Sequence, residues 1–346
     1  MKVISLITFF LCLMLAACRA EALKFPVQST PLTPSSEINS TIQSGMSAQA
    51  ARYLDDAFGI MEKNSINKYK VDWNELRATC FILAMNSQAA AGTYNAIRCL
   101  LKGLQDYHSF FIPAGQNSGA SVATATYVPS TQARLIQNHF GYVLIPGYKS
   151  SPFGNQFGTD MQLQIKAIDQ QNPCSWIVDL RGNTGGDMWP LLIGIGPILG
   201  EGLAGSFIDA EGHPEKWGYQ DGKGLENSQV QSEVLGQPYH LLHPDAPVAV
   251  LFDNTTLSSG EAIVIAFIGR PNTRSFGANS GGLTTANVPF TLSDGAVMAL
   301  TVAVDADRTG KVYGGAILPD VQVENDTPGS IPHEALDWLA NQSACK

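Results

Sequence analysis

Two patterns of apolar residues divide the chain. In residues 44–107 they recur at three- and four-residue steps. Ala48, Ala51, Leu54, Ala57, Phe58 and Met61 share one face of a helix on that spacing. Asp72 with Trp73, Asn74 and Glu75 has the composition of a helix start, and Leu76 to Met85 continues it. Thr93 to Leu104 gives a third segment that ends near His108. A small helical bundle is expected there.

From about residue 130 short, wholly apolar runs take over. Gly141 to Pro146, Trp176 to Leu180 and Val248 to Phe252 read as strands, the last two buried, while Met161 to Gln170, Pro190 to Leu199 and Gly260 to Ile268 read as helices. Val288 to Leu292 and Ala296 to Val304 flank Ser293, Asp294 and Gly295, which marks a hairpin. A last helix is expected over Pro332 to Ala340. Strands alternating with helices give an α/β core. No internal repeat interrupts it.

The N-terminus changes the setting. Lys2 precedes an apolar run from Val3 to Ala17, too short to span a bilayer and suited to a secretory signal. Its end, Leu15, Ala16, Ala17 and Cys18, resembles the lipobox of bacterial lipoproteins, in which Cys18 is lipidated. Ala20, Glu21 and Ala22 form the competing small-x-small cleavage site. The expected divisions are a signal over 1–18, a tether rich in Pro, Ser and Thr over 19–43, a helical domain over 44–112 and the core over 113–346. Either cleavage exports the protein.

Export gives the cysteines a role. Cys80, Cys99, Cys174 and Cys345 remain in the mature chain, and an even number in an oxidising compartment implies two disulfides with three possible connectivities. Proximity in sequence favours Cys80–Cys99, leaving Cys174–Cys345 to tie the chain end to the core. The absence of C-x-x-C spacing argues against zinc. Of the 346 residues 45% are hydrophobic, enough for a sizeable core, and the net charge of −9 with no basic stripe excludes nucleic acid as a partner. Membrane contact is expected only through the lipid anchor.

Three segments carry candidate chemistry. Ser258, Ser259, Gly260 and Glu261 stand between an apolar strand and an apolar helix, where a serine hydroxyl projects beside the free amides of a helix start. A serine helix cap is the plainer reading of the same residues. Asp179 to Gly186 (DLRGNTGG) ends a strand in two glycines that let backbone amides approach a ligand; it lacks the Gly-Lys-Ser/Thr of a phosphate loop. Asp106, Tyr107, His108 and Ser109 end the helical region.

Taken in chain order, with Val248 to Leu251 before the serine and Ile317, Leu318, Pro319 and Asp320 downstream, the segments resemble the C-terminal-processing (tail-specific) serine peptidases. The resemblance runs from about residue 44 to 340 and implies a crotonase-like spiral ββα fold. It places the nucleophile at Ser258, three residues before Glu261, and the oxyanion donors at the amides of Gly185 and Ser259. Many members use a lysine base about 25 residues after the nucleophile; here Leu283 holds that position. Another branch, similar to tricorn-type and nisin-resistance peptidases, takes a histidine from the helical region, and Leu104 to Ser109 resembles its Leu-x-Asp-x-His-Ser/Thr motif. The implied activity is an endopeptidase with a Ser258–His108 dyad acting on a peptide or protein, without cofactor or metal. The branch's glutamate is missing at Tyr313 and Gly314, so Asp106, Glu261 and Asp307 remain candidates for a third group. No PDZ domain is expected, because the 70 residues between His108 and Asp179 already contain core strands. A peptide- or ligand-binding module with impaired catalysis is the alternative on the same fold.

Overall fold

Residues 48–103 contain three α-helices, α1 (Ala48–Asn64), α2 (Trp73–Phe81) and α3 (Tyr94–Gly103). Ser47 Oγ accepts the Ala50 amide at 3.1 Å and Asp72 Oδ1 accepts the Glu75 amide at 3.0 Å, so each of the first two helices opens on a side-chain cap. The helix expected to reach Met85 tightens into a 3₁₀ turn over Ile82–Ala84. A disulfide joins Cys80 on α2 to Cys99 on α3.

The structure is a computed structural model that describes residues 45–116, 131–137, 139–149, 152–323 and 330–346. The expected signal, Cys18 and the tether over 19–43 lie outside the described residues. After α3 the chain runs through β1 (Phe110–Ile112), β2 (Gln132–Ile136), β3 (Phe140–Leu144), α4 (Gly154–Asp169), β4 (Ser175–Asp179) and α5 (Met188–Leu199). Four strands follow: β5 (Gly202–Asp209), β6 (Pro214–Gln220), β7 (Lys223–Glu226) and β8 (Gln229–Glu233). Then come β9 (Val248–Phe252), α6 (Ser259–Phe267), β10 (Thr273–Gly277), β11 (Thr285–Thr291), β12 (Val297–Asp307), β13 (Val321–Gln322) and α7 (His333–Ala340).

These strands make two sheets. One has the order β13-β10-β9-β4-β3-β2 and is parallel except at the β2–β3 pair. The other is antiparallel, in the order β1-β12-β5-β6-β7-β8, with β11 also paired to β12. The run Val248 to Phe252 is apolar throughout because both its faces are covered. Val250 and Phe252 pack with α4, α5 and α6, whereas Ala249 and Leu251 pack with Ala335 and Leu339 of α7. A second disulfide, Cys174–Cys345, fixes the chain end beside β4.

The helical region shares its core with the antiparallel sheet. Leu54, Phe58, Met61, Phe81 and Leu100 cluster with Leu292, Met298 and Leu300. The hydroxyls of Tyr53 and Tyr94 both donate to Asp294 at the β11–β12 turn, at 2.8 and 2.5 Å. Helices and hairpin are thereby locked together, which fixes where His108 emerges. The apolar pattern assigns no element between 200 and 247, yet β5–β8 occupy its first part. Strands such as β6 bury only Trp217, Gly218 and Tyr219, too few for a period-two pattern to stand out.

Candidate active site

Strand β9 delivers the chain into a tight turn ending at Ser258. Thr256 Oγ1 donates to the Leu180 carbonyl at 2.9 Å and the Leu257 amide to the Asn183 carbonyl at 2.9 Å, so this turn is fastened to the one that follows β4. Ser258 has φ 52° and ψ −119°, outside the regions that non-glycine residues favour. Its amide donates to Glu261 Oε2 at 2.9 Å and its carbonyl accepts the Ala262 amide at 2.9 Å. The neighbouring serine is differently employed: Ser259 is buried and its hydroxyl donates to the Gly186 carbonyl at 2.7 Å.

Glu261 is fully buried on α6 and accepts four hydrogen bonds. Ser280 Oγ and the Gly282 amide donate to Oε1 at 2.5 and 2.8 Å, and the amides of Ser258 and Leu283 to Oε2 at 2.9 and 2.7 Å. Burial pushes its pKa up and the four donors oppose that shift. Asp305 is buried nearby, with Oδ1 lacking any hydrogen-bond partner; burial, reinforced by the Glu261 charge, raises its pKa to about 8. It is therefore mostly protonated at neutral pH.

The glycine turn lies against the serine. Gly185 has φ +89°, and a Cβ there would stand 2.8 Å from Ser258 Cβ, so only glycine fits both the conformation and the space. Its amide donates to Asn183 Oδ1 at 3.0 Å, while Asn183 Nδ2 donates to the Ile145 carbonyl at 3.1 Å. The amides of Ser259 and Gly186 have no hydrogen-bond partner among the described residues. Among the described residues these two turns thus hold two unpartnered amides, and a third, of Gly185, bonded only to a neighbouring side chain.

His108 lies between α3 and β1, against β11. Asp106 shapes its turn by accepting the amides of His108 and Ser109 at 3.0 and 2.7 Å and the Ser109 hydroxyl at 2.7 Å. The His108 carbonyl accepts Asn287 Nδ2 at 2.8 Å, and its Nδ1 lies 2.7 Å from Thr285 Oγ1. Burial lowers the pKa of the imidazole, partly offset by the charge of Asp106. The imidazole and the Ser258 hydroxyl are not hydrogen-bonded to each other. A continuous route nevertheless joins the two residues: the Thr285 amide donates to the Leu283 carbonyl at 2.9 Å, and the Leu283 amide donates to the carboxylate that holds Ser258.

The other candidates are engaged elsewhere. Asp307 accepts the Thr309 hydroxyl at 2.6 Å and the Tyr313 hydroxyl at 2.8 Å. Lys311 Nζ stands 4.9 Å from the Tyr313 ring centroid. Both line a cleft of about 790 Å³ that neither Ser258 nor His108 borders. The donor atoms of Glu201, Asp221 and His240 lie within 4.8 Å of one another, but all three side chains are exposed and none touches the serine site. Thr285, Ser280 and Asn183 carry no motif of their own in the sequence. Thr285 follows the Gly-Gly-Leu-Thr segment with no spacing rule to mark it.

Among the described residues no helix is long and apolar enough to cross a membrane. Residues 139–323 match the description of peptidase family S41. Over 177 residues the chain is 36% identical to a nisin-resistance protein of Lactococcus lactis subsp. lactis, a match covering 51% of this chain and 53% of that protein. The chain thus spans about half the length of that curated relative. A lipoprotein from Streptococcus agalactiae is similar in structure with a TM-score of 0.68 at 22% identity, covering 85% of this chain and 96% of that one. The photosystem II D1 C-terminal processing protease follows at 0.54 and 15% identity, covering 81% and 94%. At these identities the likeness concerns the fold. The family match, in contrast, takes in more than half of the chain and includes both the glycine turn and the serine turn, and the protein belongs to peptidase family S41.

Proposed function

We propose that the protein is an exported endopeptidase that cleaves peptide bonds with a Ser258–His108 dyad. The observation that carries this reading is the conformation of Ser258, held at φ 52° by the Glu261 carboxylate while the Ser259 hydroxyl is bonded to Gly186. In this reading the Ser258 hydroxyl attacks the peptide carbonyl and passes its proton to His108 Nε2. The carbonyl oxygen gains the negative charge and sits at the amides of Ser259 and Gly185, the latter turning from Asn183 Oδ1 to receive it. The C–N bond then breaks and the amine leaves with the proton from His108. Water, deprotonated by the same imidazole, releases the acyl group as a carboxylic acid. No step needs a metal or cofactor.

The reading extends to the rest of the chain. The two sheets and their helices are taken as a crotonase-like spiral core over 113–346, with 44–112 as a helical domain beside it. Residues 1–18 act as a lipoprotein signal, Cys18 carries the lipid and 19–43 serve as the tether. The similarity to a solved lipoprotein supports an envelope location, and the relative named for nisin resistance supports a peptide as substrate.

A fluorophosphonate probe tests the chemistry. The wild-type protein should be labelled on Ser258, and Ser258→Ala and His108→Ala should each abolish labelling while remaining folded by circular dichroism. Labelling that persists in folded Ser258→Ala would remove Ser258 as the nucleophile. A wild-type protein that takes no label and cleaves no peptide would favour the ligand-binding alternative.

A further inference from the structure

We infer that Thr285 is the positioning residue of the base: its hydroxyl accepts Nδ1–H of His108 and so leaves the Nε2 lone pair for the Ser258 proton. The inference rests on the Ser258–His108 reading and adds the member that the sequence left open.

The three carboxylates that are candidates for that role are all committed. Asp106 binds the backbone and hydroxyl of its own turn, Glu261 has four donors, and Asp307 closes the turn to Tyr313. The imidazole ring has one hydrogen-bond partner among the described residues, Thr285 Oγ1 at 2.7 Å. A neutral imidazole has one N–H, and its position is set by the partner of the ring. If the threonine donated to Nδ1, the proton would sit on Nε2 and the ring could not act as a base there. Once His108 has taken the Ser258 proton both nitrogens carry hydrogen, and the hydroxyl oxygen then has to accept. Only an accepting Thr285 serves both states without reorientation.

The backbone supports this arrangement. Asn287, two residues along β11, donates to the His108 carbonyl at 2.8 Å and accepts from Thr301 Oγ1 at 2.8 Å. The Thr285 amide donates to the Leu283 carbonyl, whose own amide is held by Glu261. The base and the nucleophile are therefore registered on one buried carboxylate, the base through the threonine and the nucleophile through its amide. An uncharged orienting group also leaves the imidazolium without the stabilisation a carboxylate would give it. The base is weaker but stays deprotonated at lower pH.

Three variants of the full chain test this. Thr285→Val keeps the shape and removes the oxygen; it should lower kcat by about 10- to 100-fold with KM little changed, part of the 10²–10⁴-fold that a positioned general base contributes. Thr285→Ser should restore kcat to within a few fold. Thr285→Asp should move the acidic limb of the pH–rate profile upward by about one unit or more, as an adjacent carboxylate does. ¹⁵N NMR of His108 provides a readout independent of turnover: Nδ1–H should dominate in the wild type and in Thr285→Ser and lose that dominance in Thr285→Val. Unchanged kcat, or an unchanged tautomer, in folded Thr285→Val overturns the assignment. Full activity in His108→Ala would instead sink the dyad itself, and the positioning role with it.

Discussion

The amide of Ser258 donates to the carboxylate of Glu261 at 2.9 Å, so the residue that opens α6 is held by a side chain one turn inside the helix. The same carboxylate takes up Ser280, Gly282 and Leu283. Glu261→Gln replaces one oxygen by an NH₂ group and confronts two of these donors with another donor. Each buried donor left unpaired costs about 1–3 kcal/mol. The variant should unfold at lower denaturant concentration and lose most turnover, whereas Glu75→Gln on α2 should do neither. Urea titration and peptide hydrolysis on the same samples check this, and wild-type values for Glu261→Gln would remove the brace from the account.

Ser258 and Ser259 should separate cleanly. Ser259→Ala loses one hydrogen bond to the Gly186 carbonyl, worth about 0.5–1.5 kcal/mol. It should still react with a fluorophosphonate, more slowly than the wild type because the glycine turn is less firmly held. Ser258→Ala should not react at all. Intact-mass measurement of the adducts distinguishes the two.

The pH dependence follows from the burial of His108. A base works in its neutral form, and burial lowers the pKa of this imidazole below its ordinary value near 6.5. In kcat/KM the acidic limb should therefore have its midpoint below pH 6.5, with a plateau already reached at neutral pH. His108→Ala should lose about 10²–10⁴-fold, while Lys311→Ala, whose ammonium sits at the Tyr313 ring, should retain wild-type turnover. An acidic limb centred above pH 7, or loss of activity in Lys311→Ala alone, would point to a different base.

Asp305 gives stability a second pH signature. Its pKa is raised to about 8 in the fold, against roughly 3.9 for an unperturbed aspartate. Between those values the folded chain holds a proton that the unfolded chain has released, so this group's contribution falls as pH rises from about 4 to 8 and is level above that. Asp305→Asn should accordingly raise the melting temperature more at pH 8 than at pH 5. Equal shifts at both values would mean that Asp305 is ionised in the fold.

Removing the disulfides tests their separate roles. Cys80 and Cys99 are 19 residues apart, and Cys174 and Cys345 are 171 apart. On loop entropy alone, replacing the first pair by serine should cost about 3 kcal/mol and the second somewhat more. The first should loosen the helices that deliver His108; the second should free α7 from the parallel sheet. Hydrogen exchange localised to those helices decides between local and global loosening.

The periodicity of the apolar residues was enough to place the helices around Ala48–Asn64 and Tyr94–Gly103, the strands ending at Asp179 and Phe252, and the hairpin about Asp294. In these segments burial on one face or on both writes a repeat directly into the sequence. The motifs DLRGNTGG and Ser-Ser-Gly-Glu likewise showed where backbone amides and a serine hydroxyl would meet, because glycine and helix-start residues carry their conformation with them. Local pattern had no access to partners distant in the chain. Thr285 lies 177 positions from His108, and Ser280 is brought to Glu261 by a loop without periodicity. The strands β5–β8 bury too few side chains to leave a repeat. The hydrogen bond that engages the Ser259 hydroxyl at Gly186 exists only because the β4 and β9 turns are packed together. Hydrophobic burial is a property of each segment and can be read along the chain. Hydrogen-bond partnership is a property of pairs, and the fold alone chooses the pairs.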